Sequence, residues 1–180
     1  MKNLLRKIGA KLVLKLLKQV HITAAAVIVI QEIQGVKRLA LVKEKSRPEL
    51  EDIGGLLNLP TEQMELGETV FSCAGRAGKE EAGVEVRLAG LLPPFHISKI
   101  FGWVNMTVFV YTTEIISGSV EDFMFAGRYP SDIENVHLIP IELIESLHKQ
   151  KRLMPYVWPA LQKSLSGSVL PLDSIVELSA

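Results

Sequence analysis

Leu59-Pro60-Thr61-Glu62-Gln63-Met64-Glu65-Leu66-Gly67-Glu68 leads, eight residues later, into Arg76-Ala77-Gly78-Lys79-Glu80-Glu81-Ala82-Gly83-Val84. A Gly-bearing acidic loop thus runs into a helical pattern that ends in a Glu-Glu pair and a Gly stop. Thr69 reads as the N-cap, Gly83 as the residue after the last turn, and Val70, Phe71, Ala74 and Ala77 as one apolar side. Gly75 and Gly78 each weaken such a helix by ~1 kcal/mol relative to Ala. Adjacent carboxylates, with more acids on the preceding loop, make a hard oxygen donor set. Mg²⁺ and Mn²⁺ prefer such donors and commonly bridge them to substrate phosphates. A pyrophosphate would be repelled by the acids alone, and a bound cation reverses the sign of that field.

Outward from this stretch, His21–Ile30 and Arg38–Val42 read as strands joined by a hairpin at Gln34-Gly35-Val36. Short strands are predicted at Leu56–Leu59 and Val136–Ile139, longer ones at Glu85–Leu92 and Trp103–Thr113. Residues 61–68 read as a turn and 117–132 as loop; Ile141–Lys149 and Tyr156–Ser164 read as helices. The order β-β-β-α-β-β-β-α-α points to an α/β (α+β) architecture, a mixed sheet sandwiched by helices. There is no internal repeat.

These residues resemble the Nudix box of the Nudix (MutT-type) hydrolases, Gly-x5-Glu-x7-Arg-Glu-U-x-Glu-Glu-x-Gly-U with U a bulky aliphatic. The spacing holds at Glu62, Glu68, Arg76, Ala77, Gly78, Glu80, Glu81, Gly83 and Val84. The likeness covers about residues 21–176, and the tail Gly167–Val176 is similar, more slightly, to a bacterial subgroup acting on nucleotide and thiamin-pathway pyrophosphates. The resemblance implies an α/β/α sandwich and metal-dependent hydrolysis of a nucleoside diphosphate derivative or similar organic pyrophosphate, with Mg²⁺ or Mn²⁺. It implies metal ligation by Glu80 and Glu81, bracing by Arg76 and Glu68 with Glu68 near a metal, and a ligand role for the backbone carbonyl at position 62.

Three positions depart from the pattern. Ala77 stands where the family has a ligating Glu, Gly78 where it has an aliphatic, and Glu62 where it has Gly. The Glu62 carboxylate is a candidate to replace the missing ligand. These departures keep a second reading open: a catalytically impaired module that binds a nucleotide-like ligand or a protein partner. Glu114, Glu121, Asp122, Asp132 and Glu134 are further acid candidates, with Asp132 and Glu134 best placed. His96, His137 and His148 lack metal-ligand spacing, and Cys73 reads as a small buried hydrophobe. Phe95, Phe101 and Trp103 are expected to pack, and Lys43, Lys45 and Arg47 follow a strand, where they either meet phosphates or form a solvated basic strand end.

The 180 residues suffice for one core without disulfides, and the single cysteine excludes a disulfide framework. Zero net charge argues against nucleic acid as a partner. No run of apolar residues is long enough to be a transmembrane helix. Residues 1–20 carry six basic side chains and no acid, leaving 14 basic against 20 acidic residues in the rest. Lys7, Lys11, Lys15 and Lys18 fall opposite Leu5, Ile8, Leu12, Leu16 and Val20, the pattern of a basic amphipathic helix. It packs on the 21–180 domain or on a second subunit as in a homodimer, lies peripherally on an anionic membrane, or is a leader; its lysines break the apolar core of a secretory signal. A cytoplasmic protein is expected.

Overall fold

The computed structural model describes residues 21–45, 55–100 and 104–174. The basic segment 1–20, the acids at 51 and 52, Arg47, Phe101, Trp103 and the last residues of the tail lie outside them.

The core of the fold is a pair of strands that are apolar on both faces. β1 (His21–Ile28) runs parallel to β8 (Val104–Gly118), from His21 opposite Asn105 to Ile28 opposite Thr112. On its other edge β1 takes β5 (Thr61–Gln63), antiparallel. The 15-residue β8 divides its far edge between β7 (Phe95–Ile100) and β6 (Val84–Leu91), both antiparallel. This is the mixed sheet that the element order predicts. A second, antiparallel sheet accompanies it: β3 (Val36–Glu44) pairs with β2 (Ile30–Ile33), β4 (Leu57–Asn58) and β9 (Ile133–Pro140). The β2–β3 turn places both Gln34 (φ 52°) and Gly35 (φ 77°) in the left-handed region, as a two-residue hairpin turn with the right twist requires.

Side chains two apart on a strand share a face, so β1 and β3 feed two cores. Ala24, Ala26, Ile28, Leu39 and Leu41 enter one, closed by Ile144 of α3 (Ile141–Lys149) and by Val157, Ala160 and Leu161 of α4 (Val157–Leu165). Ala25, Val27, Ala40 and Val42 enter the other, closed by Cys73, Ala74, Ala77 and Ala82 of α1 (Val70–Ala82) and by Val120 of α2 (Val120–Ala126). Helices therefore cover both faces, the layered α/β/α arrangement. Burying each Val, Leu or Ile side chain stabilises it by about 1.5–3 kcal/mol.

The strand read over His21–Ile30 ends at Ile28, with Ile30 opening β2 of the other sheet, β8 runs on to Gly118, and three further segments differ in kind. Residues 61–63 are a strand rather than turn, because Thr61–Gln63 pairs with Ala24–Ala26 and the Pro60 carbonyl accepts a hydrogen bond from Val27 at 3.0 Å. Residues 95–100 form a strand in which Phe95 and Ile97 face a core and His96 does not. The stretch 117–132 holds a seven-residue helix with its own signals, Ser119 as N-cap and Gly127 in the left-handed region after the last turn.

The caps expected of α1 are present. The Thr69 hydroxyl accepts a hydrogen bond from the Ser72 amide at 3.1 Å, and Gly83 follows the helix at φ 69°. A side chain on Gly83 would also meet the Phe123 ring at 2.4 Å. Gly78 is buried, and a Cβ there would lie 3.2 Å from Val86, so the missing aliphatic lets α1 approach β6 closely. Gly83→Ala is expected to destabilise the protein by more than about 1 kcal/mol, read as a lowered urea midpoint at an unchanged slope.

Candidate functional site

The loop between β5 and α1 is organised by one guanidinium. Arg76 Nε and Nη2 donate to the two carboxylate oxygens of Glu68 at 3.1 and 3.0 Å. Its Nη2 also donates to the Gln63 carbonyl at 2.7 Å, and its Nη1 lies 2.9 Å from Glu62 Oε2. Glu80 is 3.9 Å from the same Nη1, one helical turn on. Glu68 in turn accepts the Glu65 amide at 2.9 Å. The bidentate pair to Arg76 holds the Glu68 carboxyl below the usual carboxylate range. The guanidinium, hydrogen-bonded to Glu68 above all, is held even more firmly protonated than usual. A brace between Arg76 and Glu68 is what the family resemblance implies; that Glu62 shares the same cation was not anticipated.

Rotation by about 100° along α1 separates Glu80 from Glu81. Glu80 is half exposed, whereas Glu81 is 7% exposed and packs inward beside Ala77, Gly78 and Ala82. The Thr61 amide donates to Glu81 Oε2 at 2.7 Å. Burial pushes the Glu81 carboxyl well above the usual range, opposed by the Thr61 hydrogen bond and reinforced by Glu62, Glu44 and Asp132. Glu62 is raised too, chiefly by burial, with Arg76 pulling it down and Glu80 and Asp132 pushing it up. Carboxyl groups from β3, β5 and the turn before β9 therefore all act on Glu81 of α1.

A polar chain supports this group from behind. The Thr61 hydroxyl bonds to the Leu59 carbonyl at 2.7 Å and meets the Tyr156 hydroxyl at 2.8 Å. Tyr156 donates to Asn58 Oδ1 at 2.5 Å. Cys73 is buried as expected; its thiol donates to the Glu62 carbonyl at 3.2 Å, and burial pushes it up to about 11.

Of the other acids read from the sequence, Asp132 joins the group, whereas Glu134 pairs with Lys43 across β3 and β9 at 2.8 Å. Glu114 pairs with Arg87, and Glu121 and Asp122 sit in the first turn of α2. Lys45 donates to the Ser131 carbonyl at 2.8 Å. His96 stacks on His21, His148 stacks on Trp158, and Phe95 tilts against Tyr156. Glu44 was missed. Its signal was the alternation of β3, which puts it on the face of Ala40 and Val42, toward α1. Among the described residues no three His, Cys, Asp or Glu side chains form a ready-made metal cage.

The chain belongs to the NUDIX family: the NUDIX domain model matches residues 20–158. A NUDIX hydrolase from Nitrosomonas europaea is similar in fold at TM-score 0.70 and 20% identity, over 87% of this chain and 97% of that one. The NUDIX domain of Shewanella oneidensis NrtR, solved with ADP ribose, aligns at TM-score 0.61 and 12% identity, over 82% and 88%. A C. elegans Ap4A hydrolase aligns at TM-score 0.52 and 13% identity, over 71% and 84%. No curated protein matches the chain. No helix among the described residues is long and apolar enough to cross a membrane.

Because the folded Glu81 carboxyl is raised, the folded protein binds more protons than the unfolded chain between the ordinary carboxyl value and the raised one. Stability therefore falls as pH rises through that window, and the full penalty is present above it. In metal-free protein, Glu81→Gln is expected to raise the melting temperature at pH 8, by about 2–4 °C per kcal/mol of relieved penalty. The gain shrinks toward pH 5; differential scanning fluorimetry at the two pH values checks it.

Proposed function

We propose that the chain is a metal-dependent pyrophosphohydrolase that cleaves a nucleoside diphosphate derivative or similar organic pyrophosphate. The observation that carries this reading is the buried Glu81 carboxyl set among Glu62, Glu44 and Asp132, an anionic focus whose internal repulsion calls for a cation. The donors are all oxygen, which suits Mg²⁺ or Mn²⁺. Mg²⁺ is commonly held by one or two carboxylates completed by substrate phosphates, so a full protein cage is not required. In this reading Glu80 and Glu81 hold the cation, assisted by Glu62 and, at the rim, by Glu68. When bound, the cation neutralises phosphate charge and makes water more acidic. The half-exposed Glu80 faces solvent, where a phosphate would arrive. Arg76 favours the charged form of Glu68, opposes the effect of burial on Glu62, and fixes the loop that presents Thr61 to Glu81.

One observation favours the second reading. Ala77 is fully buried, one turn before Glu81, and its methyl belongs to the core under α1. The family's carboxylate is therefore absent from the inward face itself, which favours an impaired module that binds a nucleotide-like ligand or a protein.

Hydrolysis of nucleoside diphosphate derivatives with Mg²⁺ and Mn²⁺, followed as formation of the two monophosphate products, separates the two. Turnover that drops at least about a hundredfold in Glu81→Gln supports the hydrolase. No turnover, with thermal stabilisation by a nucleotide, supports the module. Ala77→Glu is the complementary measurement: a large gain in rate marks this chain as a weakened version of the ordinary site.

A further inference from the structure

Behind Glu81 lies a buried hydroxyl that the proposed hydrolysis leaves without a role. Tyr156 is 2% exposed, and its ring tilts against Phe95 with centroids 6.0 Å apart. The backbone before it is sewn to β4: the Leu57 amide donates to the Arg152 carbonyl and the Met154 amide to the Leu57 carbonyl, both at 2.9 Å. Lys151 turns the chain into this connection at φ 56°, a left-handed conformation that a residue with a Cβ takes at a cost. The hydroxyl so delivered meets Asn58 Oδ1 at 2.5 Å and the Thr61 hydroxyl at 2.8 Å. Its one proton goes to Asn58, so Thr61 is the donor at the second contact. Thr61 also has a single hydroxyl proton, and it divides that proton between Tyr156 and the Leu59 carbonyl.

We propose that Tyr156 is a positioning residue for the cation seat: through Thr61 it fixes the direction of the Glu81 carboxylate without touching the cation. This rests on the pyrophosphohydrolase reading. The weakness of β5 is what calls for a brace. β5 is three residues long, and among the described residues it pairs with β1 alone. A strand with so few backbone hydrogen bonds opens easily. Arg76 ties one end of it, at Glu62 and the Gln63 carbonyl. Thr61 is the other end. Its amide donates to Glu81 Oε2 at 2.7 Å, and its hydroxyl is the group that meets Tyr156. Both contacts belong to one residue, so a displaced hydroxyl carries the amide, and with it the Glu81 oxygen. Hydrogen-bond partners that orient a metal ligand are typically worth about 10–100-fold in metal affinity. Burial holds the Tyr156 hydroxyl above its ordinary value, against the pull of its bond to Thr61 and with Glu81 and Glu44 adding to the effect, so it remains a neutral donor within reach of the site's charges. A phenylalanine would fill the same space beside Phe95, so packing alone does not call for the oxygen.

The test is calorimetric titration of the full chain with Mn²⁺, in wild type, Tyr156→Phe, Thr61→Val, the double variant, Glu81→Gln and Ile144→Val, with melting temperatures measured alongside. Ile144→Val thins the same core from α3, outside the polar chain. Tyr156→Phe and Thr61→Val are each expected to weaken Mn²⁺ binding about tenfold. The double variant is expected to lose less than the product of the two, because both substitutions break one chain. Ile144→Val is expected to lower the melting temperature and leave Mn²⁺ affinity unchanged. With substrate, Tyr156→Phe is expected to need more Mn²⁺ for half-maximal turnover and to recover its rate at saturation. Wild-type affinity in Tyr156→Phe, full multiplication in the double variant, or an equal loss in Ile144→Val overturns the proposal and leaves the hydrolase reading standing. Should Tyr156→Phe not fold, wild-type Mn²⁺ affinity in Thr61→Val overturns it alone. Mn²⁺ uptake that Glu81→Gln leaves intact, or no uptake by wild type with or without a nucleoside diphosphate, sinks the hydrolase reading and the role of Tyr156 together.

Discussion

Arg76 is the tie on which the site depends. One guanidinium closes the loop by reaching Glu68 twice, the Gln63 carbonyl and Glu62, while sitting on the helix that the loop enters. An exposed ion pair contributes little. This one is bidentate and largely covered, its arginine side chain 21% exposed and Glu68 14%, and charge-assisted forks of that kind are the strong class. The consequence is geometric as much as energetic. Fixing residues 62–68 fixes the short β5, and β5 is what presents the Thr61 amide to Glu81. Lysine would keep the charge and lose the fork.

Burial of Glu81 follows from the helix around it. Cys73, Ala74, Ala77, Gly78 and Ala82 are small, so α1 lies close to the sheet, and a residue on that face has nowhere to go but inward. Gly83 then ends the helix one position past Ala82 and turns the chain into β6. The same small-residue face that seats the helix thus desolvates one carboxyl of the Glu-Glu pair and leaves the other in water. The two are adjacent in sequence and unlike in chemistry: Glu81 is electrostatically strained, whereas Glu80 is not buried.

What was legible in the sequence is what is written locally. Thr69, Gly83 and the spacing between them define α1; Gln34-Gly35 defines the hairpin; the Arg76-to-Glu68 brace sits within one loop and helix. What was not legible depends on partners far away in the chain. The 61–63 strand exists because β1 pairs with it, and nothing in Thr-Glu-Gln announces that. Tyr156 reaches Asn58 across 98 residues, and Glu44 meets Glu81 because β3 runs beneath α1. The helix at 120–126 is a different case. Its N-cap and Gly stop are local, but seven residues are too few for periodicity to register, and Val120 anchors it through the core.

Ala77 changes the electrostatics as well as the ligand count. A carboxylate there would sit one turn from Glu81 on the inward face, adding a further negative charge to a group already raised by burial and by Glu62, Glu44 and Asp132. Each desolvated like charge adds repulsion that must be offset by a cation. The methyl lowers that load on Glu81, while Arg76 offsets the charge of Glu62, Glu68 and Glu80 beside it. The same economy weakens any cation seat built from the remaining carboxylates, because one anionic donor fewer is on offer. On the proposed function, substrate phosphate oxygens must then supply more of the cation's coordination than they would beside a glutamate. Cation and substrate affinity should therefore be coupled, each raising the other by the same factor.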